Sequence, residues 1–161
     1  MGTRHLITCI VDKKVKISQY GQWDGYPTGA GNAIAEWITE EITFEPRKCI
    51  FINNLKTCSF VEQDYVEKRQ KNLKMSDSEF YLRFPEYNSD TSTKLLDILT
   101  RSEGVKLQLI NSYEFRKNTV SCEFHYKLDF DKETLTIYRG STKAWKRFKF
   151  SQISKKMFKR D

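Results

Sequence analysis

Over residues 120–130 the apolar side chains of Val120, Cys122, Phe124, Tyr126, Leu128 and Phe130 alternate without a break with Ser121, Glu123, His125, Lys127 and Asp129. A two-residue period sends successive side chains to opposite sides and cannot be satisfied by a helix, so the stretch predicts a strand with one core face and one polar face. Asp131-Lys132-Glu133 turns the chain, and residues 135–138 return as the second strand of a hairpin. Trp145, Phe148 and Phe150 then supply an edge strand or a cover. The beginning of the chain has the same form: residues 6–11 are a β-rich apolar run, 12–14 a polar turn, and 15–20 alternate Val15 and Ile17 with Lys16 and Ser18. Leu6 and Ile10 face one way and Ile7 and Val11 the other, so the first strand should lie centrally, covered on both sides.

Between the hairpins the period lengthens. Ile34, Trp37, Ile38 and Ile42 have helical spacing, with Asn32 as the expected N-cap and Glu36, Glu40 and Glu41 on the outer side. Pro46 closes that region, and residues 47–55 fit a short strand as well as the start of a helix. A charged helix is expected over 60–71 with Val61, Tyr65 and Val66 inward, and a short aromatic one over 75–84, ending before Pro85. Leu95, Leu96, Ile98 and Leu99 mark a further helix, with Asp90 as its N-cap and Gly104 near its end. Strands at both ends and helices between them predict an α+β fold, a single domain over 1–161 whose antiparallel sheet is formed by the N-terminal and C-terminal hairpins. No repeat or linker divides it.

A chain of 161 residues buries enough surface to fold without a metal or disulfide staple. Its 39% hydrophobic content contains no apolar run near the ~20 residues that span a bilayer, and residues 6–11 are too short for a signal-peptide core. No membrane contact and a cytoplasmic location, the cytosol of a host cell, are therefore expected. Cys9, Cys49, Cys58 and Cys122 lack the close spacing of a zinc site and read as reduced, mostly buried thiols. No metal or cofactor is expected. The net charge of +7 is concentrated late: the basic C-terminal segment 139–160 carries Arg139, Lys143, Lys146, Arg147, Lys149, Lys155, Lys156, Lys159 and Arg160 without an acidic residue. Such a segment attracts polyanions by neutralising phosphates, or is simply a solvated surface.

Residues 19–31 (QYGQWDGYPTGAG) hold four of the seven glycines and one of the three prolines, a density that core building does not explain. This reads as a shaped loop at a strand-to-helix junction. Neither a dinucleotide nor a P-loop glycine pattern is present, so Gly29-x-Gly31 before a helix is a weak anion signal. Asp24 is the best candidate for a functional carboxylate; it can equally hold the loop through backbone amides or Arg4. Trp23 and Tyr26 can stack on a base or a sugar, or cover the core. His5 and His125 are the only histidines, and meeting across the sheet they would form an acid/base pair able to cleave RNA.

The opening Gly2-Thr3-Arg4-His5-Leu6-Ile7, with residues 20–27 (YGQWDGYP) and Gly29-x-Gly31 after a hairpin, resembles a family of small uncharacterised proteins of phages, bacterial mobile elements and some fungi. Ser89-Asp90-Thr91 before a helix, and Cys122-Glu123-Phe124-x-Tyr126-x-Leu128-Asp129 followed by Leu135-x-Ile137-Tyr138, are similar to it too. The chain departs from the pattern at Ser89, where Arg is common, and at Phe124-His125, where a Trp-x pair is usual. The resemblance implies a mobile-element setting, in which an anti-defence role such as inhibition of a CRISPR effector is the expected function. The leading expectation is binding of RNA or a ribonucleoprotein through the basic segment and the glycine-aromatic loop, with Arg4, Gln22, Trp23, Tyr26, Asp90, Glu123, Lys146, Arg147 and Lys149 as contacts. A metal-independent nuclease or hydrolase using Asp24 with His5 or His125 is the second. A protein-protein inhibitor without nucleic-acid contact is the third.

Overall fold

The computed structural model describes residues 2–101 and 103–160, and the fold is α+β. The first hairpin joins β1 (His5–Val11) to β2 (Lys14–Gly21). Both turn residues, Asp12 (φ 51°) and Lys13 (φ 62°), are left-handed, the geometry whose twist matches a two-residue hairpin. Asp131, from the turn of the other hairpin, holds them there: its two carboxylate oxygens accept the amide N–H groups of Asp12 and Lys13, each at 2.8 Å.

A helical stretch begins at Pro27, earlier than the periodicity of Ile34 and Trp37 predicts. A wide π-turn over Pro27–Gly31 leads into α1 (Asn32–Trp37), and a second over Ile38–Ile42 ends the stretch. Proline suits this first position because its missing N–H would be unpaired there anyway. Asn32 does not cap α1. Its side chain clamps the backbone of Phe158 instead, donating to the carbonyl at 2.9 Å and accepting the amide at 3.0 Å. Gly31 makes room for this docking, since a Cβ there would lie 3.1 Å from the Phe158 ring.

Pro46 opens a helix rather than closing one, and α2 (Glu45–Thr57) resolves the ambiguity over 47–55. The helix expected from residue 60 starts later, because β3 (Ser59–Val61) precedes α3 (Gln63–Leu73). Val66 is buried there while Tyr65 is exposed. Next come α4 (Asp77–Arg83) and α5 (Lys94–Arg101). Asp90 lies four residues before α5, in an exposed turn where its amide bonds Asn88 Oδ1, and so is not the N-cap. β4 (Gln108–Ile110) pairs with β3 in a small parallel sheet.

The main sheet is completed by β5 (Phe124–Asp129), β6 (Thr134–Arg139) and β7 (Ala144–Lys149), in the order β2-β1-β5-β6-β7. Within each hairpin pairing is antiparallel, but β1 and β5, which join the hairpins, run parallel, so the sheet is mixed. β1 is central and buried on both sides, as its sequence requires. Ile7, Cys9, Tyr126, Leu128, Leu135 and Ile137 share one face with side chains from α1, α2 and α5. Leu6, Thr8, His125, Lys127 and Tyr138 share the other, where a 3-10 turn over Tyr113–Lys117 packs. The alternation beginning at Val120 therefore overstates the strand. Val120 is exposed, pairing starts at Phe124, and the polar face is itself covered, burying His125 and Asp129.

Candidate functional site

The glycine-aromatic loop meets β1 around one buried imidazole. His5 Nδ1 lies 3.4 Å from the Thr3 carbonyl, which also accepts the Gly25 amide at 3.0 Å; the Tyr126 hydroxyl donates to the Gly25 carbonyl at 2.7 Å. Both backbone groups of Gly25 are thus tied down, and the Asp24 carbonyl accepts the Ala30 amide at 2.8 Å, so the loop is clasped by backbone groups rather than by the Asp24 carboxylate. Asp24 stands exposed in a left-handed conformation (φ 53°), and among the described residues its carboxylate makes neither a hydrogen bond nor an ion pair with Arg4. Its charge reaches His5 weakly. Burial is the main influence on that imidazole and lowers its pKa, opposed by the Thr3 carbonyl and by Asp24. On its other side His5 Nε2 is 2.6 Å from Ser92 Oγ, a residue that no motif pointed to and whose φ of 47° is left-handed.

The two histidines do not meet. His5 is level with Phe124 in the β1–β5 register, so His125, one residue on, projects from the opposite face. There His125 Nε2 is 2.9 Å from Thr8 Oγ1 and the ring stacks on Tyr138, centroids 5.0 Å apart. Burial, then the nearby charges of Lys127 and Arg116, lower its pKa to about 4. With an ordinary value of about 6.5 in the unfolded chain, the unfolded state alone takes up this proton as pH falls from about 6.5 toward 4. The native state should accordingly lose roughly 2–3 kcal/mol across that window, and nothing further from this group below it. Urea unfolding of wild type and His125→Gln at several pH values checks this: the variant should lack that part of the slope.

The remaining sequence candidates separate into places that no hydrogen bond or ion pair among the described residues connects. Arg4 and Glu123 form a local pair, the Arg4 amide donating to Glu123 Oε2 at 2.9 Å and the Glu123 amide to the Arg4 carbonyl at 3.2 Å. Gln22 accepts the Tyr20 hydroxyl, and its amide reaches the Ser89 carbonyl at 3.3 Å. Trp23 lies across Gly2 with half its surface exposed. Asp90 stays in its turn.

What converges is a different part of the expected surface. The loop residues Tyr26, Pro27 and Thr28 form one wall of a cleft of about 440 Å³, and Arg139, Trp145 and Lys146 at the sheet edge form another. Met157, Phe158, Lys159 and Arg160 complete it, brought there by the Asn32 clamp. Tyr26 and Trp145 remain 56% and 39% exposed, so two large aromatic side chains border the cleft without being enclosed by the core. Lys146 Nζ and the Arg139 guanidinium lie 4.3 and 5.4 Å from the Trp145 ring. Four cations line the cleft, and no described carboxylate does. The basic segment is thereby divided. Arg147 points to the opposite face, where Nε donates to Thr136 Oγ1 at 3.2 Å, and Lys155 pairs with Glu40. Lys149 does not line the cleft.

Cys9, Cys58 and Cys122 are buried free thiols whose pKa burial raises, and Cys49 is free and exposed. Among the described residues no group of His, Cys, Asp and Glu is placed to hold a metal, and no helix is long and apolar enough to cross a membrane. Compared with protein families, curated proteins and solved structures, the chain matches none.

Proposed function

We propose that the protein binds single-stranded RNA, free or exposed on a ribonucleoprotein, in the cleft between the glycine-aromatic loop and the β6–β7 edge. One observation carries this reading: two exposed aromatic rings, Tyr26 and Trp145, share a cleft with Arg139, Lys146, Lys159 and Arg160. Stacking platforms beside a cationic track suit a flexible strand whose bases are unpaired, because each base offers a π-face and each phosphate a charge. A duplex hides its bases and would use only the charge. An inhibitor of an RNA-loaded defence effector would work by such contact, competing for exposed RNA. The test is fluorescence anisotropy with a labelled uridine oligonucleotide and its duplex. Charge reversal at Lys146 should abolish most binding, whereas reversal at Lys149, outside the cleft, should change it little. Equal loss in both variants would reject the cleft as the site.

A hydrolase built on Asp24 and His5 has one observation in its favour, the 2.6 Å approach of His5 Nε2 to the left-handed Ser92. A neutral imidazole beside a hydroxyl can accept its proton as the oxygen attacks an acyl or phosphoryl centre. On the binding reading this contact only satisfies a buried histidine. Incubation with a fluorophosphonate, followed by peptide mass mapping, should then leave Ser92 unmodified. An adduct at Ser92, formed as the P–F bond breaks and lost in Asp24→Asn, would support the hydrolase instead.

A further inference from the structure

The opposite face of the sheet carries a second, smaller cavity that the RNA reading does not use. It lies under the 3-10 turn over Tyr113–Lys117, and its volume of about 90 Å³ holds about three waters at ~30 Å³ each. A nucleoside does not fit that space. A single tetrahedral oxyanion does.

Its walls supply donors and positive charge in excess of what the protein itself satisfies. Arg116 and Lys127 both line it, and neither forms an ion pair among the described residues. Arg116 Nε is buried and has no hydrogen-bond partner, although the guanidinium lies 4.3 Å from the Tyr113 ring. A buried donor without a partner is unfavourable, and an oxyanion oxygen set against it would supply the acceptor it lacks within the protein. His125 also lines the cavity. Its Nε2 is engaged by Thr8, and Nδ1 has no partner among the described residues, so the tautomer protonated at Nδ1 has an N–H to give. Ser141 Oγ already accepts the Lys143 amide at 3.0 Å, which leaves its O–H free to donate. Tyr138 and Thr142 add two more hydroxyls, and no described carboxylate lines the space.

We infer that this cavity binds a phosphate group, with Arg116 and Lys127 balancing its charge and the His125 ring and Ser141 hydroxyl donating to its oxygens. The cluster selects an oxyanion over other small ligands because every polar group is a cation or can act as a donor. It selects a free phosphate or a monoester terminus over a backbone diester, since a second ester substituent both enlarges the group and removes charge. This inference is independent of the aromatic cleft, which lies on the other face and shares no lining residue with it.

The experiment is an NMR titration of the full chain, following the His125 ring resonances, with inorganic phosphate, methyl phosphate and dimethyl phosphate as separate probes. Inorganic phosphate should shift those resonances saturably with a Kd near or below about 1 mM. Methyl phosphate binding equally well assigns the site to a phosphate carried on a larger molecule, and binding of inorganic phosphate alone assigns it to the free ion. Dimethyl phosphate should bind at least about tenfold more weakly. Arg116→Gln should weaken phosphate at least about tenfold, and Lys127→Gln, at a half-buried position on β5, repeats the test without touching the buried Nε. Lys149→Gln should have no effect. Unmoved His125 resonances, or wild-type affinity in both cavity variants, would overturn the inference.

Discussion

Gly21→Ala should destabilise the protein by about 3 kcal/mol, the upper end of what overpacking a well-filled interior costs. A Cβ at residue 21 would lie 2.3 Å from both Cε1 and Nε2 of His5, across the β1–β2 pair. That ring cannot retreat. It is fully buried, its Nε2 is held by Ser92, and a Cβ at Gly25 would stand 2.8 Å from its Nδ1, so close backbone confines the imidazole on that side too. Urea unfolding measures the loss directly. His5→Ala should recover part of it in the Gly21→Ala background, because neighbours in contact are not additive. A Gly21→Ala protein within about 0.5 kcal/mol of wild type would mean that the loop does not pack on His5 as described.

Trp145→Ala should weaken binding of a uridine oligonucleotide about tenfold or more, and Tyr26→Ala by a similar factor. Removing a stacking platform typically costs about 1–3 kcal/mol per base. Both side chains are well exposed and contribute little to the core, so neither change should unfold the protein. Trp23→Ala is the informative control. That ring is just as exposed, at 52%, but it covers Gly2 and does not line the cleft. A protein-protein inhibitor that used the loop as its contact surface would give the opposite result, indifferent to nucleic acid and sensitive to Trp23. Co-purification with and without nuclease treatment separates the two outcomes.

The hairpins were legible because their signal is local. Leu6, Ile7, Ile10 and Val11 place apolar groups on both faces of one strand, and that alone makes β1 central. The parallel junction between β1 and β5 was not legible, because strand direction depends on where the long segment between Val11 and Phe124 returns the chain. Val120 extended the alternation only by coincidence, since period-two spacing in a loop is indistinguishable from a strand until backbone pairing is known. Pro46 has two meanings, ending one helix or starting the next, and only the path of α2 decides between them. The site divides in the same way. Tyr26, Lys146 and the basic segment were visible as types of residue, but their meeting depends on Asn32 clasping Phe158, 126 positions away. A charge between Trp23 and Gly25 makes Asp24 conspicuous in sequence, yet its backbone is left-handed and its side chain lies exposed to solvent. Ser92 and Arg116 carried no signal at all, since their interest arises entirely from the partners that the fold gives or denies them.

RNA binding in the cleft should depend steeply on salt concentration. Four cations in the cleft, each neutralising one phosphate of a single strand, predict a slope of log K against log salt concentration of about −3, from about −0.7 per contact. Neutralising Arg139 and Lys146 together should reduce that slope by about 1.4 and lower affinity at every salt concentration, with stacking by Tyr26 and Trp145 retained. Absence of binding even at low salt, or an unchanged slope in the doubly neutralised protein, would contradict the assignment of the cleft as a nucleic-acid site.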